Sequence, residues 1–165
     1  MIPERRGVLK VEVHTSQSHV IVDLAEDLNI DTTDINTAYI EQPGKFAYWA
    51  TVALQAKFAY ERKKQEVNRQ EDFLKKTLYG KLDSTIRAQL ELDGERITEA
   101  KVITAINTHK DYLIEQEHLY QLQSELLELQ ERFQQLEVAK ESMNQRKDML
   151  ISLGAQLRLE NSNTD

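Results

Sequence analysis

The stretch LYQLQSELLELQERFQQL, Leu119 to Leu136, decides the fold. Its apolar residues Leu119, Leu122, Leu126, Leu129, Phe133 and Leu136 recur at alternating intervals of three and four. That is the heptad pattern of an α-helix burying a narrow seam, with Leu119, Leu126 and Phe133 at a and the other three at d. Glu125, Glu128, Glu131, Arg132 and several Gln fill the remaining positions. Such a seam needs a second helix to cover it, from the same chain in a monomeric bundle or from another copy. Downstream the seam frays: Lys140 and Lys147 take a, while Met143, Leu150 and Leu157 keep d. These six residues, Leu119 to Leu136, are the candidate oligomerisation surface.

Composition agrees with a helical chain. The 165 residues include only two Pro and five Gly, and the length suits one domain with a modest core. There is no cysteine, which removes disulfides, thiolate metal sites and cysteine nucleophiles and is compatible with a reducing cytoplasm. No apolar run approaches the roughly 20 residues of a membrane span. Met1 to Lys10 lacks the apolar core of a signal peptide. A soluble, intracellular protein is expected.

The N-terminal side is less regular. Leu9, Val11 and Val13 alternate with polar residues and read as a short strand, leaving room for a small N-terminal β element. His19 to Leu24 reads equally as a second strand or the start of a short helix. Asp31 and Thr32 are good caps for a helix starting near Thr33, and Pro43-Gly44 should break it. A stronger helical pattern follows, through Phe46, Trp49, Ala53, Leu54, Tyr60, Val67, Leu74 and Leu78, and should end at Gly80. Lys81 to Gly94 reads as a polar connection with a turn or two of helix. Thr98 caps a final helix reaching Gly154, with any bend expected between Ile103 and His109. Residues 1–19 form an N-terminal extension, 20–158 the helical domain with its oligomerisation helix at about 99–153, and 159–165 a disordered tail.

Charge is unevenly spread. The net charge is −7, yet residues 57–87 carry +4. Their cations are Lys57, Arg62, Lys63, Lys64, Arg69, Lys75, Lys76, Lys81 and Arg87, between acidic flanks. Phe58, Tyr60, Phe73 and Tyr79 are interleaved with them. Cations that follow a phosphate backbone and aromatic planes that stack on bases are what single-strand binding requires. The competing reading is a solvated face laced by pairs with Glu61, Glu66, Glu71 and Asp72.

Other residues point to structure. Trp49, the one tryptophan, either stacks a base or anchors the core, and neighbouring Ala50, Ala53 and Ala56 favour the core. Glu115 and His118 have the Glu-x-x-His spacing of di-iron bundles, but no second such pair exists. His109, beside Lys110, reads as an exposed helix residue. No nucleophile constellation, phosphate-binding glycine loop or zinc motif occurs, so neither an enzyme nor a bound cofactor or metal is expected.

One family similarity spans about residues 20–155. It rests on an acidic amphipathic segment, Val22 to Leu28, then Ile30-Asp-Thr-Thr33. An aromatic pair, Tyr48-Trp49, follows, then a basic helix with a Tyr79-Gly80 corner. A long last helix carries Asp111-Tyr-Leu and Arg146. In this order the chain resembles the UvsY recombination mediators of tailed phages. Residues 1–19 have no counterpart there, and Pro43-Gly44 interrupts a segment that looks continuous in the family. The resemblance implies an all-α, ring-forming homo-oligomer that binds single-stranded DNA. It would help load a RecA-like recombinase onto DNA coated by single-strand-binding protein, in the cytoplasm of an infected bacterium. Lys63, Lys64, Arg69, Lys75 and Lys76 are the DNA contacts it carries over. The alternative is a non-catalytic helical scaffold or adaptor of phage assembly.

Overall fold

The computed structural model describes residues 10–14 and 19–162. Part of the expected N-terminal extension and the end of the tail, 163–165, lie outside the described residues. The architecture is all-α in class and ends in a long helix. Ahead of the helices the backbone of β1 (Lys10–His14) pairs antiparallel with β2 (His19–Asp23), from Lys10 opposite Asp23 to His14 opposite His19. There follow α1 (Leu24–Leu28), α2 (Ile35–Asp72), a π-helical segment Phe73–Leu78, α3 (Tyr79–Leu92), α4 (Glu99–Thr108) and α5 (Lys110–Ser162). The chain divides into two compact units, residues 1–57 with 131–165 and residues 58–130.

In the first unit, Asp23 caps α1 by accepting from the N–H groups of Ala25 and Glu26. Asp31 does not cap α2, contrary to the sequence expectation. It closes a local turn on the N–H and hydroxyl of Thr33, and these bonds, the hydroxyl first, hold its carboxyl below the usual range. Asp34 caps instead, accepting from the N–H of Thr37 at 3.2 Å, so α2 begins at Ile35. Leu24 of α1 packs with Trp49, Val52, Ala53 and Ala56 of α2 and with Leu136, Ala139 and Met143 of α5; Leu28 and Phe133 flank this core. The α2 residues recur at i, i+3, i+4 and i+7, one helix face. Ala53 and Ala139 of the same core are fully buried, and their short side chains take up little of the volume that the large indole needs. Trp49 is the core anchor of this unit: it is 0 % exposed, its Nε1–H donates to Asp27 at 3.0 Å, and Tyr48 meets it edge-on.

Three sequence expectations fail here. Helix α2 runs unbroken through Pro43 and Gly44. Proline removes one backbone hydrogen bond and crowds the carbonyl of Tyr39, a penalty of about 3 kcal/mol in an isolated helix. Two side chains just ahead of it are tied to α5. The Tyr39 hydroxyl donates to the Leu150 carbonyl, and Gln42 Nε2 donates to the Met143 carbonyl. Nor does the buried line on α5 fray after Leu136. It moves by one position, through Leu136, Ala139, Met143, Arg146 and Leu150, so Ala139 and Arg146 replace Lys140 and Lys147 on the inner side. A straight helix drifts about 20° per heptad against a 3.5-residue repeat, which makes such a change of stripe natural. The helix also continues past Gly154 to Ser162, into the segment expected as tail.

The second unit has its own core of Leu82, Val102 and Ile106, with Leu78, Tyr79, Ile86, Leu90 and Tyr112 around it. Gly80 does not end a helix; it lies inside α3. The stop comes at Asp93-Gly94, where Gly94 has φ 68°. The Gly94 N–H reaches the Glu91 carbonyl and the Glu95 N–H the Leu90 carbonyl, the double bond of a Schellman end. Thr98 caps α4 through the Lys101 N–H. The expected bend falls at His109, which is extended rather than helical. Its N–H ends α4 on the Ile106 carbonyl, and its Nδ1 accepts from the Asp111 N–H at the start of α5.

The π-helical segment has a visible cause. Leu74, Leu78, Leu82, Ile86 and Leu90 are spaced by four. In an α-helix each four-residue step overshoots one turn by about 40°, so this line would spiral off the core. A wider turn takes up part of the excess, and all but Leu74 lie in or around the Leu82 core.

Candidate nucleic-acid interface

The 57–87 cations separate into three groups. Lys63 lies on the inner side of α2, with Val67 and Gln70. It pairs with Glu66 at 2.8 Å and with Glu125 of α5 at 2.7 Å. Gln70 and Gln123 add bonds between α2 and α5, to Glu115 and Glu71. Hydrogen bonds donated to Glu125, then to Glu66, push the Lys63 ammonium above its usual range, and Lys63 in turn lowers the Glu66 carboxyl. Arg87 is likewise committed. It bonds Asp83 at 2.9 Å and Glu99 at 2.7 Å, which hold its guanidinium more firmly charged, Asp83 first. Lys75 and Lys76 form exposed one-turn pairs with Glu71 and Asp72. Surface pairs of this kind are weak and open easily to a competing anion.

The third group is Lys57, Arg62, Lys64, Arg69 and Lys81. All are exposed, and among the described residues none has an ion-pair partner. Lys57 closes the first unit and is considered apart from the others. Arg62 and Arg69 stand one heptad apart on the side of α2 opposite Val67. Phe58 lies four residues before Arg62 and Phe73 four after Arg69, which places all four on one helical face. The two phenylalanines are 58 % and 40 % exposed, high for large aromatics. From Phe58 to Phe73 the face extends about 22 Å along the helix. Arg62 and Arg69, with no ion pair among the described residues, thus stand between two exposed aromatic rings, with Lys76 in the π-helical segment beyond them; cations and aromatic planes on one face are what sequence-tolerant strand binding would require. The other interleaved aromatics serve structure: Tyr79 meets Tyr112 edge-on in the core of the second unit, and Tyr60 is half-buried.

Of the predicted contacts, Arg62, Lys64, Arg69, Lys75, Lys76 and Lys81 present exposed cations, whereas Lys63 and Arg87 are engaged in holding helices together. The sequence reading grouped Arg62 and Arg69 with the other cations and missed that they define the outward face. The signal was present: they are seven apart and lie opposite Val67. Part of the predicted oligomerisation seam is used within the chain, with Leu136 in the core of the first unit and Phe133 packed against it. Leu122 is 5 % and Leu136 1 % exposed, while Leu119, Leu126, Leu129 and Phe133 are half-buried. A different line on α5, Leu113, Tyr120 and Leu127, points outward at heptad spacing with exposures of 48 %, 57 % and 61 %.

Among the described residues no three His, Asp or Glu side chains converge on a metal-sized site; His118 lies 3.7 Å from Glu115. No helix among them is long and apolar enough to cross a membrane. Comparison with protein-family models, with curated proteins and with solved structures found no match.

Proposed function

We propose that this chain is a non-catalytic helical protein that binds single-stranded DNA through the outer face of α2. Within that class the reading is a recombination mediator of the UvsY kind. Such a protein assembles with copies of itself and helps a RecA-like recombinase displace single-strand-binding protein in a phage-infected cell. The observation that carries the DNA-binding step is the Phe58–Arg62–Arg69–Phe73 face, with its arginines free of carboxylate pairs among the described residues. One copy offers few cations, so assembly supplies avidity by linking weak contacts along one strand. Leu113, Tyr120 and Leu127, the more exposed line, are the surface for that assembly.

The outward Leu113–Tyr120–Leu127 line also favours the second reading, a scaffold or adaptor whose role is association alone. Titration of labelled poly-dT at two salt concentrations separates the two. The mediator binds with a steep salt dependence, and the scaffold does not bind.

A further inference from the structure

In the first unit, Arg146 of α5 is 2 % exposed. Its Nη1 donates to Gln42 Oε1 and its Nη2 to the Asn29 carbonyl at 3.1 Å. Both acceptors are neutral. Among the described residues no carboxylate pairs with this guanidinium, and its Nε is buried with no hydrogen-bond partner. A buried cation answered only by neutral dipoles is costly, and a counter-charge arriving from outside would relieve it.

Gln42, which Arg146 holds, also forms part of the wall of a cleft of about 540 Å³ beside Pro43. Pro43, Phe46, Leu150 and Ile151 give it apolar sides, with Asn144 and Lys147 at its edge. Phe46 and Ile151 are 37 % and 56 % exposed there. The volume suits one or two large side chains. Lys147 is exposed at the edge and paired only to neighbouring Asp148 at 3.7 Å, while the Arg146 charge stands behind the wall. Lys147 and the buried Arg146 thus set two cations against the one carboxylate of Asp148 beside an apolar cleft.

We infer that this cleft docks an acidic segment of another protein, with an apolar side chain inserted between Phe46 and Ile151 and carboxylates directed at Lys147 and the Arg146 field. An uncharged apolar partner would leave the cations unanswered. A nucleic acid would find only one exposed cation among the lining residues. The site is separate from the α2 outer face and stands whether or not that face binds DNA.

The test uses the full chain and fluorescein-labelled peptides of sequence Asp-Glu-Phe-Glu-Asp, Asp-Glu-Ala-Glu-Asp and Lys-Lys-Phe-Lys-Lys, read by anisotropy. The acidic phenylalanine peptide should bind about tenfold or more tightly than either control. Ile151→Glu and Lys147→Glu should each weaken it by about tenfold, by filling the cleft with charge or reversing its edge. Both side chains are exposed, so thermal melting should be unchanged. Arg146→Met, which removes the charge at similar length, should weaken the acidic phenylalanine peptide and leave the basic peptide no weaker. The inference fails if no peptide binds up to about 1 mM, a free energy near −4 kcal/mol. It fails equally if the basic peptide binds as well as the acidic one, or if both edge variants bind like the wild type.

Discussion

The hydroxyl of Tyr39 lies directly over Gly154, and a Cβ built on that glycine would overlap the phenol oxygen. From there Tyr39 donates to the Leu150 carbonyl, one turn earlier on α5. Gly154 is thus neither a helix end nor a flexible point: it is the gap that admits the ring. Glycine inside a helix ordinarily costs about 1 kcal/mol relative to alanine. Gly154→Ala should nevertheless destabilise, by about 1–3 kcal/mol, because the ring must leave its place. Gly44→Ala and Gly80→Ala, at helical positions with open space around the new methyl, should each stabilise by about 0.5–1 kcal/mol. Urea unfolding of the three variants checks the opposite signs. Tyr39→Ala combined with Gly154→Ala should recover part of the loss, since the clash is then absent.

Proline and glycine misled the sequence reading for a related reason. Pro43-Gly44 and Gly80 are local breakers, but local preference yields where side chains beside the break are held. Tyr39 and Gln42, tied to α5, do this just ahead of Pro43. Gly94 differs because its φ of 68° is one that other residues rarely adopt, and there the sequence signal and the backbone agree. Trp49 as core anchor, Thr98 as cap and the bend before Lys110 were legible because each depends on residues close in sequence. The commitment of Lys63 to Glu125 was not legible, because its partner lies 62 positions away. The same holds for the covering of Leu122 and Leu136, which only the packing of α2 and α5 could show.

Trp49 and Leu136 test the first core. Trp49→Ala should cost about 3–5 kcal/mol and Leu136→Ala about 2–5 kcal/mol by emptying fully buried volume. Trp49→Phe retains most of that volume and loses the bond to Asp27, so it should cost less. Loss of tryptophan-like near-ultraviolet dichroism on heating, in step with helix loss, would show that the indole reports this core. A wild-type melt without any effect of Trp49→Ala would place the core elsewhere.

The Lys63–Glu66–Glu125 cluster carries a pH prediction. The Glu66 carboxyl is lowered from 4.5, so its contribution is present above that value and is lost as pH falls through the folded pKa. The Lys63 ammonium is raised from 10.5, so its contribution is present below that value and is lost as pH rises through the folded pKa. The cluster therefore steadies the α2–α5 pairing across the neutral range and weakens toward both extremes. Lys63→Met should flatten the pH dependence of melting at the acidic and alkaline ends. High salt should reduce the difference between variant and wild type, because the groups are near solvent. An unchanged pH profile in Lys63→Met would mean the pairs are not maintained in solution.

Self-association should follow the outward line of α5. Tyr120→Asp and Leu127→Asp should reduce oligomer size in light scattering while leaving helix content intact, because both side chains are more than half exposed. Leu136→Asp should instead unfold the chain, since it buries a charge in a filled core. A monomeric wild type at micromolar concentration would remove both the assembly and the avidity on which the mediator reading depends.

The DNA-binding face gives the most discriminating test, because its cations differ in how far they are already spent. If Arg62 and Arg69 neutralise phosphates, each should contribute about −0.7 to the slope of log affinity against log salt on a single strand. The double change Arg62→Ala with Arg69→Ala should then flatten the slope by about 1.4 and weaken binding by similar factors on poly-dT and on mixed sequence. Phe58→Ala and Phe73→Ala should weaken binding by about 1–3 kcal/mol per stacked base without altering the slope, since a ring neutralises no phosphate. Lys63→Ala should leave the slope unchanged, because that ammonium is held by Glu66 and Glu125. Lys75→Ala and Lys76→Ala fall between, as their exposed pairs with Glu71 and Asp72 must open before a phosphate is met. The order Arg62 and Arg69, then Lys75 and Lys76, then Lys63 is the signature of the outer face. Equal effects from all five would mean that a diffuse positive field binds the strand, and a salt-insensitive wild type would leave the α2 face as solvated surface.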